Sequence, residues 1–220
     1  MIIGRIMAVI IGYCFGMILM GYLIGKSKNI DLTKVGSGNV GSTNTMRNLG
    51  VPAGLITLAW DCVKCIVAGF FVWLIFGRFS ESATAWLNIY MIYAGLGCVL
   101  GHDFPFYMKF KGGKGIASTL GFIIAFFPKA VFIPAVIFIG IVAITRYVSL
   151  GSIIGVLAFA VEMLLAGYLG VLPFEGTELT EVLVICCGVA ALGIAIHHAN
   201  IKRLLNGNEN KFSFHPETRA

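Results

Sequence analysis

Residues 6–25 read IMAVIIGYCFGMILMGYLIG, twenty positions without one charged side chain. As a helix rising about 1.5 Å per residue, this run is about 30 Å long, which matches the hydrocarbon core of a bilayer. Arg5 precedes it and Gly25-Lys-Ser-Lys28 follows it. A secretory leader would carry a shorter apolar stretch and a small-residue cleavage site, so the run is expected to remain as a membrane helix. Similar runs recur along the chain, at roughly 4–25, 53–77, 85–101, 115–128, 129–146, 148–172 and 181–199. Each is expected to be helical, because lipid offers no partners to free backbone N–H and C=O groups.

The composition agrees. Of 220 residues 58% are hydrophobic and 12% charged, about half the charge of a soluble domain. Mean hydropathy is +0.92. The expected fold is therefore all-α: a polytopic integral membrane helical bundle of about seven transmembrane helices, forming one membrane-embedded domain over residues 1–220. A five-span arrangement, with some segments at the interface, is the alternative.

The net charge of +6 sits in the connections between these runs, where it orients the chain in the membrane. It does not there indicate a nucleic acid partner. Lys26, Lys28, Lys34 and Arg47 follow the first span, and Lys109, Lys111 and Lys114 follow the third. Arg146 follows the fifth, and Lys202, Arg203, Lys211 and Arg219 follow the last. The alternate connections hold only Arg5, Arg78 and Lys129, with the acidic Glu175, Glu178 and Glu181. Seven spans place these groups on opposite sides, with the N-terminus outside and the C-terminus cytoplasmic. All six cysteines lie in apolar runs. Cys62-x-x-Cys65 has no βαβ surroundings and no second pair to complete a zinc site. No metal and no cofactor are expected.

Three polar segments interrupt this apolar chain, all on the side carrying the positive charge. Residues 34–47 read KVGSGNVGSTNTMR. The glycines at 36, 38 and 41 satisfy G-x-G-x-x-G, but a membrane span stands where a dinucleotide fold needs a strand. The anion-binding capacity survives that objection. Gly38 and its neighbours can turn N–H groups toward an anion. Ser37, Asn39, Thr43 and Asn44 add short polar groups, and Arg47 adds a planar fork suited to phosphate. Residues 101–119 read GHDFPFYMKFKGGKGIAST. This is not a P-loop, since Gly115 follows Lys114 where Ser or Thr is required. Lys111-Gly112-Gly113-Lys114 nonetheless sets two ammonium groups around flexible backbone at a helix start. Residues 197–211 read HHANIKRLLNGNENK, in which His197, Asn200 and Leu204 share a helical face. His197 is open to use as a donor, a cation or a general base. Ser149 and Ser152 are further candidate hydroxyls. Asp61 and Lys64, at i, i+3 within the second span, should pair and face the bundle interior. Glu162 has no obvious local partner.

The three segments together, in this order and on one side of the membrane, resemble the acyl-phosphate glycerol-3-phosphate acyltransferases of bacteria. The resemblance runs from the first span into the C-terminal tail. Two positions depart from the family pattern: Ser42 stands where Ala is usual, and Ile196 where Arg commonly precedes the motif histidine. The resemblance implies transfer of a fatty acyl group from acyl phosphate to the sn-1 hydroxyl of glycerol 3-phosphate, releasing lysophosphatidic acid and inorganic phosphate. It implies His197, Asn200 and Lys114 as the catalytic set. Ser37, Gly38, Asn39, Thr43, Asn44, Arg47, Lys111, Gly112, Gly113, Ser149 and Ser152 become the substrate- and phosphate-binding set. It also implies a multi-pass protein of the bacterial cytoplasmic membrane, with its site on the cytoplasmic side. The sequence fits an already activated donor. It has no G-x-S-x-G elbow, and neither His102 nor His197 has an acid five residues on. A transporter for an organic anion is the competing reading. The polar residues gather at one interface and no repeat is evident, which favours an enzyme.

Overall fold

The computed structural model describes residues 2–77 and 84–212. Arg78 and Arg219, used above in reading the charge, lie outside them. Ten α-helices are described: α1 (Ile2–Gly16), α2 (Met20–Ser27), α3 (Ser42–Leu49), α4 (Val51–Phe76), α5 (Thr84–Asp103), α6 (Ile116–Phe126), α7 (Phe132–Thr145), α8 (Val148–Tyr168), α9 (Gly176–Ile196) and α10 (His198–Leu205). No strand occurs among the described residues. Five segments are long and apolar enough to cross a membrane: Ile2–Ser27, Val51–Phe76, Pro128–Thr145, Val148–Tyr168 and Gly176–Ile196. Of the two other expected spans, α5 has 20 residues and α6 only 11, the latter about 16 Å of helix. Large apolar side chains such as Phe132, Val136, Ile139 and Ile144 are exposed, as lipid-facing residues are.

The described residues divide into two compact units, 2–77 with 84–125, and Phe126–Phe212. In the first, α1 lies against α5 at backbone contact. Gly4, Ala8, Gly12 and Gly16 recur every four residues and are all buried. A methyl group on Gly12 would overlap the Ala94 carbonyl, and one on Gly97 the Val9 carbonyl. Such close approach replaces a hydrophobic driving force that lipid does not supply. Cys65, Ala68 and Val72 of α4 complete this core with Ala8, Ala94 and Cys98.

The first span is not the continuous helix expected over 4–25. It breaks at residues 17–19 and resumes as α2. The break leaves carbonyls without helical partners, and side chains take them over. Lys64 Nζ donates to the Gly16 carbonyl at 3.0 Å, Tyr107 Oη to Met17 at 2.6 Å, and Trp60 Nε1 to Ile18 at 2.9 Å. Another difference is α3, a helix of eight residues within what reads as loop. Gly50 separates it from α4, with φ at 91°, a conformation that L side chains rarely adopt. Pro52 then stands in the first turn of α4, where its missing N–H costs nothing.

In the second unit α8 packs between α7 and α9. Its buried Val156, Phe159 and Met163 belong to the core, as do Val182, Ile185 and Val189 of α9. Arg146, left-handed at φ 62°, closes the turn from α7 to α8. The Phe212 N–H bonds the Arg146 carbonyl at 2.7 Å and so holds the tail. The last span begins earlier than the expected residue 181. Helix α9 starts at Gly176 and takes Glu178 into its first turn, where a carboxylate favours the helix dipole.

Candidate active site

The glycine-rich loop before α3 is built around one amide. Asn44 is 2% exposed. Its Nδ2 donates to the carbonyls of Leu32, Val35 and Asn39 at 3.2, 3.1 and 2.8 Å. Its Oδ1 accepts from the Ser37 N–H at 2.9 Å and from Asn48 Nδ2 at 3.1 Å. An amide offers two protons and two lone pairs, so this side chain is fully engaged inside the protein. Asn44 therefore shapes the loop, although its composition suggested a ligand contact. Gly36 and Gly38 hold φ at 59° and 72°, and this winding leaves the Ser37 side chain exposed. Asn39 Oδ1 accepts from the Gly41 N–H at 2.8 Å. Below the loop, Leu32 and Val40 pack on Leu19, beside Tyr22 and Met108.

The second loop folds back on the end of α5. The Gly112 N–H bonds the Asp103 carbonyl and the Gly113 N–H the His102 carbonyl, both at 2.9 Å. A Cβ on Gly112 would overlap the His102 carbonyl, and one on Gly113 the His102 ring. These two N–H groups are thus used within the protein, and the glycines are needed for close approach. Asn39 Nδ2 reaches the Gly112 carbonyl at 3.4 Å, so the first and second polar segments touch. Arg47 on α3 and Lys111 have no ion-pair partner among the described residues. Lys111 is exposed, and Thr43, Arg47 and Lys114 are half-buried.

Beneath this loop lies a buried ionic cluster. Lys64 Nζ is 2.8 Å from Asp61 Oδ1 and 2.7 Å from His102 Nδ1. The expected pairing of Asp61 with Lys64 is present, at 1% and 0% exposure. His102 joining it was not legible, since 38 residues separate it from Lys64.

In the second unit the third polar segment converges on Glu209. Its Oε1 accepts from Ser149 Oγ at 3.0 Å and from Asn200 Nδ2 at 2.8 Å, and its Oε2 from Arg203 Nε at 2.7 Å. Burial pushes the Glu209 carboxyl up, but the bonds from Arg203, Asn200 and Ser149 outweigh it and leave the group below the usual glutamate value. Ser149 and Asn200, both candidate site residues, thus share one anchor. Ser152 donates to the Val148 carbonyl in its own helix at 2.9 Å. His197 ends α9 and is 3% exposed, and Asn200 is 4% exposed. His197 Nδ1 lies 2.7 Å from the Gly193 carbonyl. A carbonyl only accepts, so Nδ1 carries the proton and the neutral ring's lone pair is at Nε2. Among the described residues no group of three or more His, Cys, Asp or Glu could hold a metal ion.

Comparison with known proteins gives the arrangement a family. Residues 6–207 match the family model described as glycerol-3-phosphate acyltransferase. A glycerol-3-phosphate acyltransferase of Thermosipho melanesiensis is 37% identical, over 94% of this chain and 92% of its own. One of Thermotoga petrophila is 41% identical, over 92% and 93%. The fold matches a crystal structure of PlsY (YgiH), an integral membrane glycerol 3-phosphate acyltransferase, in its glycerol 3-phosphate form. The TM-score is 0.79 at 36% identity, covering 95% of this chain and 96% of that one. The lysophosphatidic acid form of PlsY matches with a TM-score of 0.76 at 35% identity, covering 96% of each chain. The protein is an all-helical, multi-pass integral membrane protein, and it belongs to the glycerol-3-phosphate acyltransferase family.

Proposed function

We propose that this chain transfers a fatty acyl group from acyl phosphate to the sn-1 hydroxyl of glycerol 3-phosphate, giving lysophosphatidic acid and inorganic phosphate. The observation that carries this reading is the pair of loops in the first unit. They pack against each other, expose Ser37, and present Arg47 and Lys111 without carboxylate partners among the described residues. Cations left uncompensated beside glycine-rich backbone suit ligands with phosphate groups. Both proposed substrates are phosphates, and the relatives' names supply glycerol 3-phosphate.

The whole chain acts as one membrane-embedded acyltransferase. It crosses the cytoplasmic membrane of a bacterium about seven times, α5 and α6 included, with the N-terminus outside and the C-terminus inside. The alternation of Lys and Arg between connections supports this orientation, and it puts the reaction on the cytoplasmic side. There the basic loops would draw anionic substrates.

The acyl carbon of an acyl phosphate is already activated, so the protein's work is positioning and charge stabilisation. The sn-1 oxygen attacks the acyl carbon and forms the ester C–O bond. The C–O bond to phosphate breaks, and phosphate leaves with the electron pair. The hydroxyl proton goes to His197 Nε2, whose lone pair follows from the Nδ1–H bond to Gly193, or to a substrate phosphate. Lys114, Lys111 and Arg47 neutralise the phosphates, with Ser37 and Thr43 supplying short donors. Asn200 acts with His197, three residues away, Ser149 binds substrate, and Glu209 holds the Asn200 and Ser149 side chains. No acyl-enzyme forms.

The test is purified protein given acyl phosphate and labelled glycerol 3-phosphate, with acyl-CoA and acyl carrier protein as alternative donors. Labelled lysophosphatidic acid and stoichiometric phosphate are expected from acyl phosphate alone. Turnover with a thioester donor and none with acyl phosphate overturns the proposal.

A further inference from the structure

The break in the first span and the ionic cluster beneath the second loop meet at one side chain. Lys64 is completely buried, and its ammonium has three protons. All three are used: one on Asp61 Oδ1, one on the Gly16 carbonyl and one on His102 Nδ1. The first neutralises the charge. The second caps the C-terminal end of α1, where a cation complements the helix dipole. The third sets the histidine, because an ammonium only donates. Nδ1 therefore accepts and the proton sits on Nε2. Asp61 Oδ1 lies 3.4 Å from that same nitrogen.

Each contact leads to a polar loop. The His102 ring is the surface on which Gly113 lies, and its carbonyl takes the Gly113 N–H. The Gly16 carbonyl opens the broken turn, and α2 leads from that turn into the Gly36–Gly41 loop. Leu19, in the turn, is 1% exposed and packs on Val40 of that loop and on Leu32 just before it. Tyr107 ties the second loop to the same turn through Met17. A buried ion pair contributes little net stability compared with apolar residues of similar volume.

We propose that Lys64 is a positioning residue for the reaction: through His102 and through the broken turn at residues 17–19 it holds both glycine-rich loops at the spacing their phosphate ligands require. Neither Lys64 nor Asp61 touches substrate. The inference rests on the reading of those loops as phosphate-binding.

The experiment compares four proteins in the acyl phosphate assay: wild type, Lys114→Met, the double variant Asp61→Asn with Lys64→Met, and Tyr107→Phe. The double variant removes both buried charges together, since Lys64→Met alone would strand the Asp61 carboxylate. Michaelis constants for both phosphate substrates, kcat and thermal unfolding in detergent are measured. The double variant is expected to raise at least one Michaelis constant about tenfold or more, as loss of uniform substrate binding does, with kcat changed far less. A merely structural role would lower the yield of folded enzyme and leave the Michaelis constants of the remainder unchanged. Tyr107→Phe loses only a hydroxyl on a partly exposed side chain. It carries the test should the double variant not fold, and a smaller rise of the same kind is expected. Lys114→Met with raised constants, beside normal constants in whichever of the other two folds, overturns the inference alone. Normal constants in Lys114→Met overturn the phosphate-loop reading, and the inference with it.

Discussion

Replacing Glu209 should damage the enzyme in two graded steps. Glu209→Gln keeps an oxygen for Ser149 and Asn200 but turns an uncharged amide toward Arg203. The bond lost is the charge-assisted one, 2.7 Å long, with the Arg203 side chain 31% exposed. Such bonds contribute about 1.5–3 kcal/mol, and partial exposure moves this one toward the lower end. Glu209→Ala also removes the acceptor from Asn200 and Ser149. Both are buried, and each of these lost bonds adds about 0.5–1.5 kcal/mol. At about 2–4 °C per kcal/mol for a chain of this size, the Gln variant should melt a few degrees low and the Ala variant roughly twice as far. The pH dependence has a defined sign. The Glu209 carboxyl lies below its ordinary value of 4.5 in the folded protein. Its contribution is thus present above 4.5 and lost as pH falls through the lowered value. Wild type should approach Glu209→Gln in stability under acid and differ from it at neutral pH. Thermal unfolding in detergent at pH 7 and pH 4, with turnover measured alongside, reads all three effects. An Ala variant that melts and turns over like wild type would refute the reasoning, as would a wild-type to Gln gap that widens in acid.

Three other perturbations follow from the structure. Asn44→Ala removes the amide around which the first loop is wound, costing about 2–4 kcal/mol in neutral hydrogen bonds. It should raise the Michaelis constant for a phosphate substrate even though the Asn44 amide is engaged within the protein, and steady-state kinetics with thermal unfolding checks both. Gly12→Leu drives a side chain into the Ala94 backbone; little folded protein should accumulate in the membrane, measured by fluorescence-detected size exclusion. Incubation with acyl phosphate alone should leave no acyl group on the protein, and an acylated peptide found by mass spectrometry after rapid quench would contradict direct attack.

The apolar helices were legible because lipid imposes a simple rule, a run of about 20 apolar residues. The break at residues 17–19 breaks that rule without a proline or a charge. What stabilises it is Lys64, Trp60 and Tyr107, and nothing local in the run reveals distant donors. Helix α3 was hidden by composition: Ser, Thr and Asn favour turns, and here packing against α4 overrides them. The polar segments stood out by composition, but the division of labour within them did not. Asn44 and Ser37 look alike in a glycine-rich loop. Only the fold shows that the first is saturated internally and the second exposed. Gly112 and Gly113 likewise suggest phosphate-binding backbone, yet their N–H groups already serve α5. Glu209, quoted in the third segment without a role, holds Ser149, Asn200 and Arg203 together. Its distance of 60 residues from Ser149 kept that hidden.

The account depends on the two glycine-rich loops holding phosphate, and labelling of lysines by an amine-reactive reagent tests this directly. Modification of Lys111 and Lys114 would be quantified by mass spectrometry with and without saturating glycerol 3-phosphate and acyl phosphate. Exposed Lys129, outside the three polar segments, serves as the reference. The account predicts that substrate protects Lys111 and Lys114 and leaves Lys129 unchanged. Equal modification of all three lysines, with and without either substrate, would contradict it.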